Sequence, residues 1–259
     1  MTFGSLFAGI GGMDLGLERA SFKCRWQVEI DDYARRVLAK HWPDVRRHDD
    51  VRTFPPDDGT DWRVDLIAGG FPCQDISSAG KRLGIEGPQS GLWSEYARVI
   101  GELRPRYALV ENVSALLVRG MDRVLGDLAA VGYDAEWEVI PAAAVGAPHL
   151  RERMFIVAYS HGQHGGARRP RRCLGVDEGL RLQVRSLRNG STGCAGLGDW
   201  ATEPDVVRLV HGLPARLVAQ SIRGLGNAVV PQVAEWIGQR IIEAANQEQT
   251  CNSSNTSSG

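Results

Sequence analysis

The chain has 259 residues and a mass of 28.3 kDa, enough for one substantial hydrophobic core with material left for a small second lobe. Hydrophobic residues make up 43% and charged residues 24%, which excludes a disordered or collagen-like chain, and no apolar run approaches the ~20 residues that cross a bilayer. The formal net charge of -1 excludes a uniformly basic chain, yet nine arginines against three acidic residues fall between Arg151 and Gly190, a concentration that suits one face meeting phosphates.

The predicted elements begin with a β-like run from Thr2 to Phe7. The small-residue turn Ala8-Gly9-Ile10-Gly11-Gly12 follows, then helical spacing of Leu15, Leu17 and Ala20 from Met13 to Ala20. A second strand runs from Cys24 to Ile30. Asp31 is a good cap for a helix from Asp32 to Trp42, which Pro43 closes. Further strands are predicted at Val64 to Ala68, Ala108 to Val110, Glu136 to Ile140 and Met154 to Tyr159, and helices at Ser94 to Leu103 and Met121 to Val131. This alternation predicts an α/β fold, Rossmann-like and doubly wound, with a mostly parallel sheet covered on both faces. From Ser160 to about Thr202 the chain is rich in Gly, Arg, Ser and His without apolar periodicity, as in a small irregular lobe. A last helix is predicted from Pro231 to Ala245, followed by a serine-rich polar tail. The organisation expected is therefore a main domain over 1–159, a small lobe over 160–204, a return to the main domain over 205–245 and a disordered tail over 246–259. With no basic stretch and long apolar core at the amino terminus, a cytoplasmic location is expected.

Three places can carry chemistry. Gly9 and Gly11 lie in the turn after the first strand, where doubly wound sheets bind ligands and where a missing Cβ lets a ligand approach the backbone. Glu29, twenty residues after Gly9, ends the second strand, where a carboxylate can accept from ribose hydroxyls. Position 14 is Asp, not the third Gly of a dinucleotide fingerprint, and no Gly-Lys-Ser/Thr is present. S-adenosylmethionine, with a ribose but no pyrophosphate, suits this turn better than NAD or ATP. The second place is Gly69-Gly70-Phe71-Pro72-Cys73-Gln74, directly after a strand. Of the five cysteines, odd in number and scattered, Cys73 is the one placed to act as a nucleophile, provided a neighbouring positive charge favours its thiolate. The third comprises Glu111-Asn112, delivered to the same sheet edge, and Arg151-Glu152-Arg153, which can aim a guanidinium into the same cleft. His161, His164, Cys173 and Cys194 match the spacing of no common zinc finger, so no metal centre is expected.

The turn Phe7-Ala8-Gly9-Ile10-Gly11-Gly12, then Pro72-Cys73-Gln74, Glu111-Asn112-Val113, Arg151-Glu152-Arg153 and Gly226-Asn227-Ala228-Val229-Val230-Pro231 resemble, in order, the motif set of DNA cytosine-5 methyltransferases of the bacterial or phage modification type. The resemblance spans Phe3 to about Ile242, except Ser160 to Thr202. It implies Cys73 as nucleophile, Glu111 on ring nitrogen 3 and the exocyclic amine, and Arg153 on the base carbonyl, with Arg151 beside them in the catalytic motif. For S-adenosylmethionine it implies Phe7, Gly9, Gly11, Glu29, Ile30, Asp50 with Val51, Pro72, Leu92, Asn227 and Val229, although the register at Asp50 can also fall on Asp49. Double-stranded DNA is the implied partner, with Gln74 near it and Arg168, Arg169, Arg171 and Arg172 on phosphates. The resemblance further suggests a monomer, in some systems paired with a cognate restriction endonuclease. Two departures stand out: His149 occupies a position where the family often has Gln, and the segment after Ser160 is short for a recognition region. Two alternatives stay open, a tRNA cytosine-5 methyltransferase, although that branch's Cys-Phe-Thr tripeptide is absent, and an inactive DNA-binding protein of the same fold.

Overall fold

The computed structural model of the protein describes residues 1–73, 90–147, 149–160, 174 and 224–255. In chain order these form β1 (Thr2–Leu6), α1 (Gly12–Arg19), β2 (Lys23–Val28), α2 (Asp32–His41), β3 (Arg46–His48), β4 (Leu66–Gly70), α3 (Trp93–Leu103), β5 (Tyr107–Asn112), α4 (Leu116–Arg119), α5 (Met121–Ala130), β6 (Tyr133–Pro141), β7 (Glu152–Ser160) and α6 (Pro231–Asn255). The strands form one sheet in the order β3-β2-β1-β4-β5-β7-β6. Strand order reverses between β1 and β4, so a crevice opens at their carboxyl ends, the place where such sheets bind ligands.

The alternation within each strand explains why both faces are covered. On β5, Tyr107 and Leu109 face one layer and Ala108 and Val110 the other. The first layer holds residues of α1 and α6, including Met13, Leu17, Val233, Ala234 and Ile237. The second holds α3 and α5 through Tyr96, Val99, Ile100, Val124 and Leu128. Small residues let α6 press onto α1: a Cβ on Gly16 would overlap the carbonyl oxygen of Pro231 and crowd Ala234. Gly16→Val is therefore expected to destabilise the fold by about 1–3 kcal/mol through overpacking, read as a lower urea midpoint with an unchanged slope.

Most of the elements match their sequence signals. Asp31 caps α2, its carboxylate accepting from the Ala34 N–H at 2.9 Å. Others differ, and the short α4 has no predicted counterpart. β7 runs antiparallel to both β5 and β6, because the ten residues between β6 and β7 are too few for a helical crossover back to the far end of the sheet. β3, where no strand is predicted, forms an edge strand, where Arg and His sidestep the usual demand for apolar residues. The last helix continues to Asn255 rather than ending at Ala245, so the tail expected to be disordered from 246 is helical through that residue. The lobe expected over 160–204 lies outside the described residues, apart from Ser160 and Leu174, as does the return segment before 224. Among the described residues no helix is long and apolar enough to cross a membrane.

Candidate active site

A cavity of about 460 Å³ opens at the carboxyl edge of β1, β2, β4 and β5. One end is built by the turn after β1. Phe7 and Gly9 both take positive φ, 53° and 55°, and nothing lies within 4 Å of where a Gly9 Cβ would stand, so the backbone there is bare toward the cavity. The Phe7 ring stacks on Tyr96 of α3, centroids 6.2 Å apart; that packing holds a strained, left-handed backbone at a ligand edge. Glu29, just past β2, ties the two turns together: its carboxylate accepts from Gly9 N–H at 2.7 Å and Asp31 N–H at 2.8 Å. Burial raises its proton affinity above the ordinary carboxylate range. A carboxylate has about four lone-pair sites, so acceptor capacity remains for a hydroxyl. Asp49, Asp50 and Val51 line the same end. Asp50 caps a short 3-10 turn, Val51–Thr53, and is gripped by Arg52, with one nitrogen–oxygen distance of 2.7 Å, which holds its proton affinity low.

The other end gathers the reactive groups. Cys73 leaves β4 through Phe71 and Pro72, and Asn112 pins that exit: its side-chain N–H donates to the Phe71 carbonyl at 3.1 Å while its carbonyl accepts from Val113 N–H at 2.8 Å. Glu111, on β5, is 9% exposed and stands over Gly70, where a Cβ would overlap its carboxylate oxygen. Arg153 Nε lies 3.0 Å from Glu111 Oε1. The register explains the pair: Glu111 faces Phe155 across β5 and β7, and Arg153 lies two residues from Phe155 on the same face, a diagonal neighbour within reach of a long side chain. Burial pushes the Glu111 carboxyl up to about 7, with the Arg153 and Arg151 charges pulling the other way. Burial also raises the Cys73 thiol; the Glu111 charge adds to the rise and Arg153 opposes it.

The profile of C-5 cytosine-specific DNA methylases matches residues 1–172. The chain belongs to this family. Among curated relatives, the type II methyltransferase M.Eco47II of Escherichia coli is 41% identical over 165 residues, covering 59% of this chain and 38% of that protein. M.NgoFVII of Neisseria gonorrhoeae is 34% identical over 157 residues, covering 59% and 42%. The chain thus spans about two fifths of the length of the curated relatives it matches. Among solved structures, a protein described as a DNA modification methyltransferase encoded within an E. coli prophage superposes with a TM-score of 0.53 at 26% identity, covering 62% of this chain and 47% of that one. DNMT2 of Spodoptera frugiperda shares the fold with a TM-score of 0.53 at 22% identity, covering 66% and 53%.

Of the site residues expected from the sequence, Phe7, Gly9, Glu29, Ile30, Asp50, Val51, Pro72, Cys73, Leu92, Glu111, Arg153, Asn227 and Val229 line this cavity. Two do not. Gly11 packs instead against α2, where a Cβ would overlap the Trp42 ring. Arg151, expected with the catalytic group, is not among the lining residues: its Nη2 donates to the carbonyls of Gly226 and Ala228, at 2.8 and 2.7 Å. It thereby fastens the Asn227–Val229 wall to the start of β7, in a left-handed backbone with φ 29°. His149 is exposed and stands outside the cavity lining. Gln74, Arg168, Arg169, Arg171 and Arg172 lie outside the described residues, as do the four residues weighed as zinc ligands. Sequence reasoning missed Asn112 as the anchor of the cysteine loop, although its place directly after Glu111 was a usable signal. It also missed Asp14, whose position it had read only as a missing glycine. That side chain is fully buried under the turn, accepts from Gln27 Nε2 at 2.9 Å, and is pushed by burial up to about 6.

Proposed function

We propose that the protein transfers a methyl group from S-adenosylmethionine to carbon 5 of cytosine in double-stranded DNA, at a specific sequence, through a covalent adduct on Cys73. The observation that carries this reading is that one cavity holds Cys73, Glu111 and Arg153 at one end and Glu29, Asp50 and Val51 at the other, with Asn227 in its wall. The bare Gly9 backbone and the Glu29 carboxylate suit a ribose-bearing cofactor without a pyrophosphate, with Val51 and Ile30 against its adenine and Leu92, Pro72, Asn227 and Val229 closing around it. When bound, S-adenosylmethionine supplies the methyl group on an electrophilic sulfonium.

Carbon 5 of cytosine is too electron-poor to attack that methyl unaided. Cys73 therefore gives up its thiol proton, which the Glu111 carboxylate takes, and bonds to carbon 6, which makes the ring enamine-like and carbon 5 nucleophilic. Glu111, neutral below about 7, donates to ring nitrogen 3 and accepts from the exocyclic amine, so the negative charge entering the ring is met by a proton. With Glu111 neutral, one of the two causes that hold the Cys73 thiol high is removed, so the proton on one group favours the thiolate on the other. Arg153 holds both Glu111 and the carbonyl oxygen of the base. Once carbon 5 is methylated, its proton passes to solvent water and the electron pair left behind expels the thiolate from carbon 6, which frees Cys73. Neither carbon is reachable in a stacked duplex, so the base is flipped into the cavity at a cost of about a few kcal/mol.

The test is transfer of labelled methyl from S-adenosylmethionine to duplex DNA, with tRNA in parallel and bisulfite sequencing of the product. Incorporation at cytosine within one short DNA sequence is the expected result. Label found only in tRNA would move the activity to RNA, and none in either would leave a DNA-binding protein of this fold.

A further inference from the structure

We infer that Arg98 is a positioning residue for the cofactor, one that fixes the adenine-side wall of the cavity through the backbone of the Val51–Thr53 turn; this rests on the S-adenosylmethionine reading above. Arg98 lies on α3 and touches no residue with chemistry of its own. Its guanidinium is nonetheless almost fully committed. Nε donates to Glu95 at 2.7 Å, Nη1 to both oxygens of Glu102 at 2.9 and 3.0 Å, and Nη2 to the backbone carbonyls of Val51 and Phe54 at 2.8 and 2.7 Å. Glu95 and Glu102 stand three residues before and four after it on the same helix face, so the planar fork is held by its own helix and its remaining edge is aimed at the turn.

The turn needs such a strut. It is a single 3-10 turn of three residues, closed by two long hydrogen bonds, Thr53 N–H to the Asp50 carbonyl at 3.1 Å and Phe54 N–H to the Val51 carbonyl at 3.2 Å, a geometry weak on its own, and the turn supplies no helical partner for the Phe54 carbonyl just past its end. Below it, Phe54 is fully buried against Trp26 and Trp62, ring centroids 4.6 and 5.2 Å away. Above it, Asp50, Val51 and Arg52 line the cavity. Arg98 joins the two by holding the carbonyls at either end of the turn, so the height at which Val51 meets an adenine ring is set from α3. A methionine at position 98 keeps the apolar stem and removes every donor; a lysine keeps the charge and can reach one or two carbonyls without the fixed fork.

Isothermal titration of the full chain with S-adenosylhomocysteine and with adenosine, alongside steady-state methyl transfer to DNA, tests this. Arg98→Met is expected to weaken both ligands by the same factor, roughly tenfold, the scale of losing charge-assisted hydrogen bonds that order a ligand wall. In turnover, KM for S-adenosylmethionine rises by that factor while KM for DNA stays unchanged and kcat falls by less than about threefold. Arg98→Lys is expected to recover part of the loss, and it carries the test should Arg98→Met not fold. Unchanged affinities in a folded variant, or a loss confined to kcat or to KM for DNA, would overturn the assignment of Arg98. If the unsubstituted protein binds neither ligand, the cofactor reading itself fails and the inference falls with it.

Discussion

Replacing Cys73 by alanine is expected to abolish methyl transfer, lowering kcat by about 10⁴-fold or more, as removal of a covalent nucleophile does, while S-adenosylhomocysteine binds with unchanged affinity. The two effects separate because of where the residue stands. Cys73 lies on the exit from β4 beside Glu111 and Arg153, at the opposite end of the cavity from Glu29, Asp50 and Val51. The side chain is small and half-buried, and alanine removes one sulfur without disturbing the Asn112 to Phe71 hydrogen bond that holds the loop. Equilibrium titration and a single-turnover transfer assay read the two quantities independently. Transfer at an undiminished rate would remove Cys73 from the mechanism, and a parallel loss of cofactor binding would mean that the two ends of the cavity are not separable.

Glu111→Gln is expected to lower kcat by about 10²–10³-fold, in the range for a positioned acid or base, and to change the form of the pH dependence. The proposed mechanism requires a proton on Glu111 and none on Cys73. Burial pushes Glu111 up to about 7 and pushes the Cys73 thiol above its usual value, so the two groups share one proton in the active form. In the wild type, kcat/KM is expected to rise with pH to a limb near 7, hold level, and fall again at alkaline pH as the last proton leaves the pair. With Gln at 111 the second proton is no longer removable. The alkaline fall should vanish, leaving one ascending limb set by the thiol, and a fall that persists in the variant would exclude Glu111 as the proton carrier. Stability supplies an independent reading of the same group. A carboxyl raised from its ordinary value to about 7 binds its proton more tightly in the folded state. Its contribution is present below the ordinary carboxylate range and is lost as pH rises through about 7. Urea midpoints of the wild type should therefore decline across that window relative to those of Glu111→Gln.

Much of this was legible in the linear chain because it depends on local chemistry. The Asp31 cap follows from a side chain acting on its own backbone three residues away, and the strand-turn-helix at Thr2 to Arg19 and the strand ends that carry Glu29, Cys73 and Glu111 follow from local periodicity and turn residues. The order of the motifs likewise pointed to the family. Other features depended on which segments come to lie together. An all-parallel sheet would put the first residues of β7 at the opposite edge from Cys73, roughly 17 Å away for a five-residue strand. The antiparallel insertion of β7 between β5 and β6 is what brings Arg153 to Glu111, and the direction of a strand is set by its connection and its neighbours, which periodicity does not encode. Gly11 and Arg151 show the same limit: one glycine of the turn serves contact with Trp42, and one arginine of its motif serves the carbonyls of Gly226 and Ala228, 75 and 77 residues away in sequence. The sequence by itself determined which reactive groups the protein owns and which local elements carry them. The tertiary structure decided which of those groups share a cavity and what protonation they hold there, because desolvation and charge pairing arise only when distant segments exclude water from the same volume.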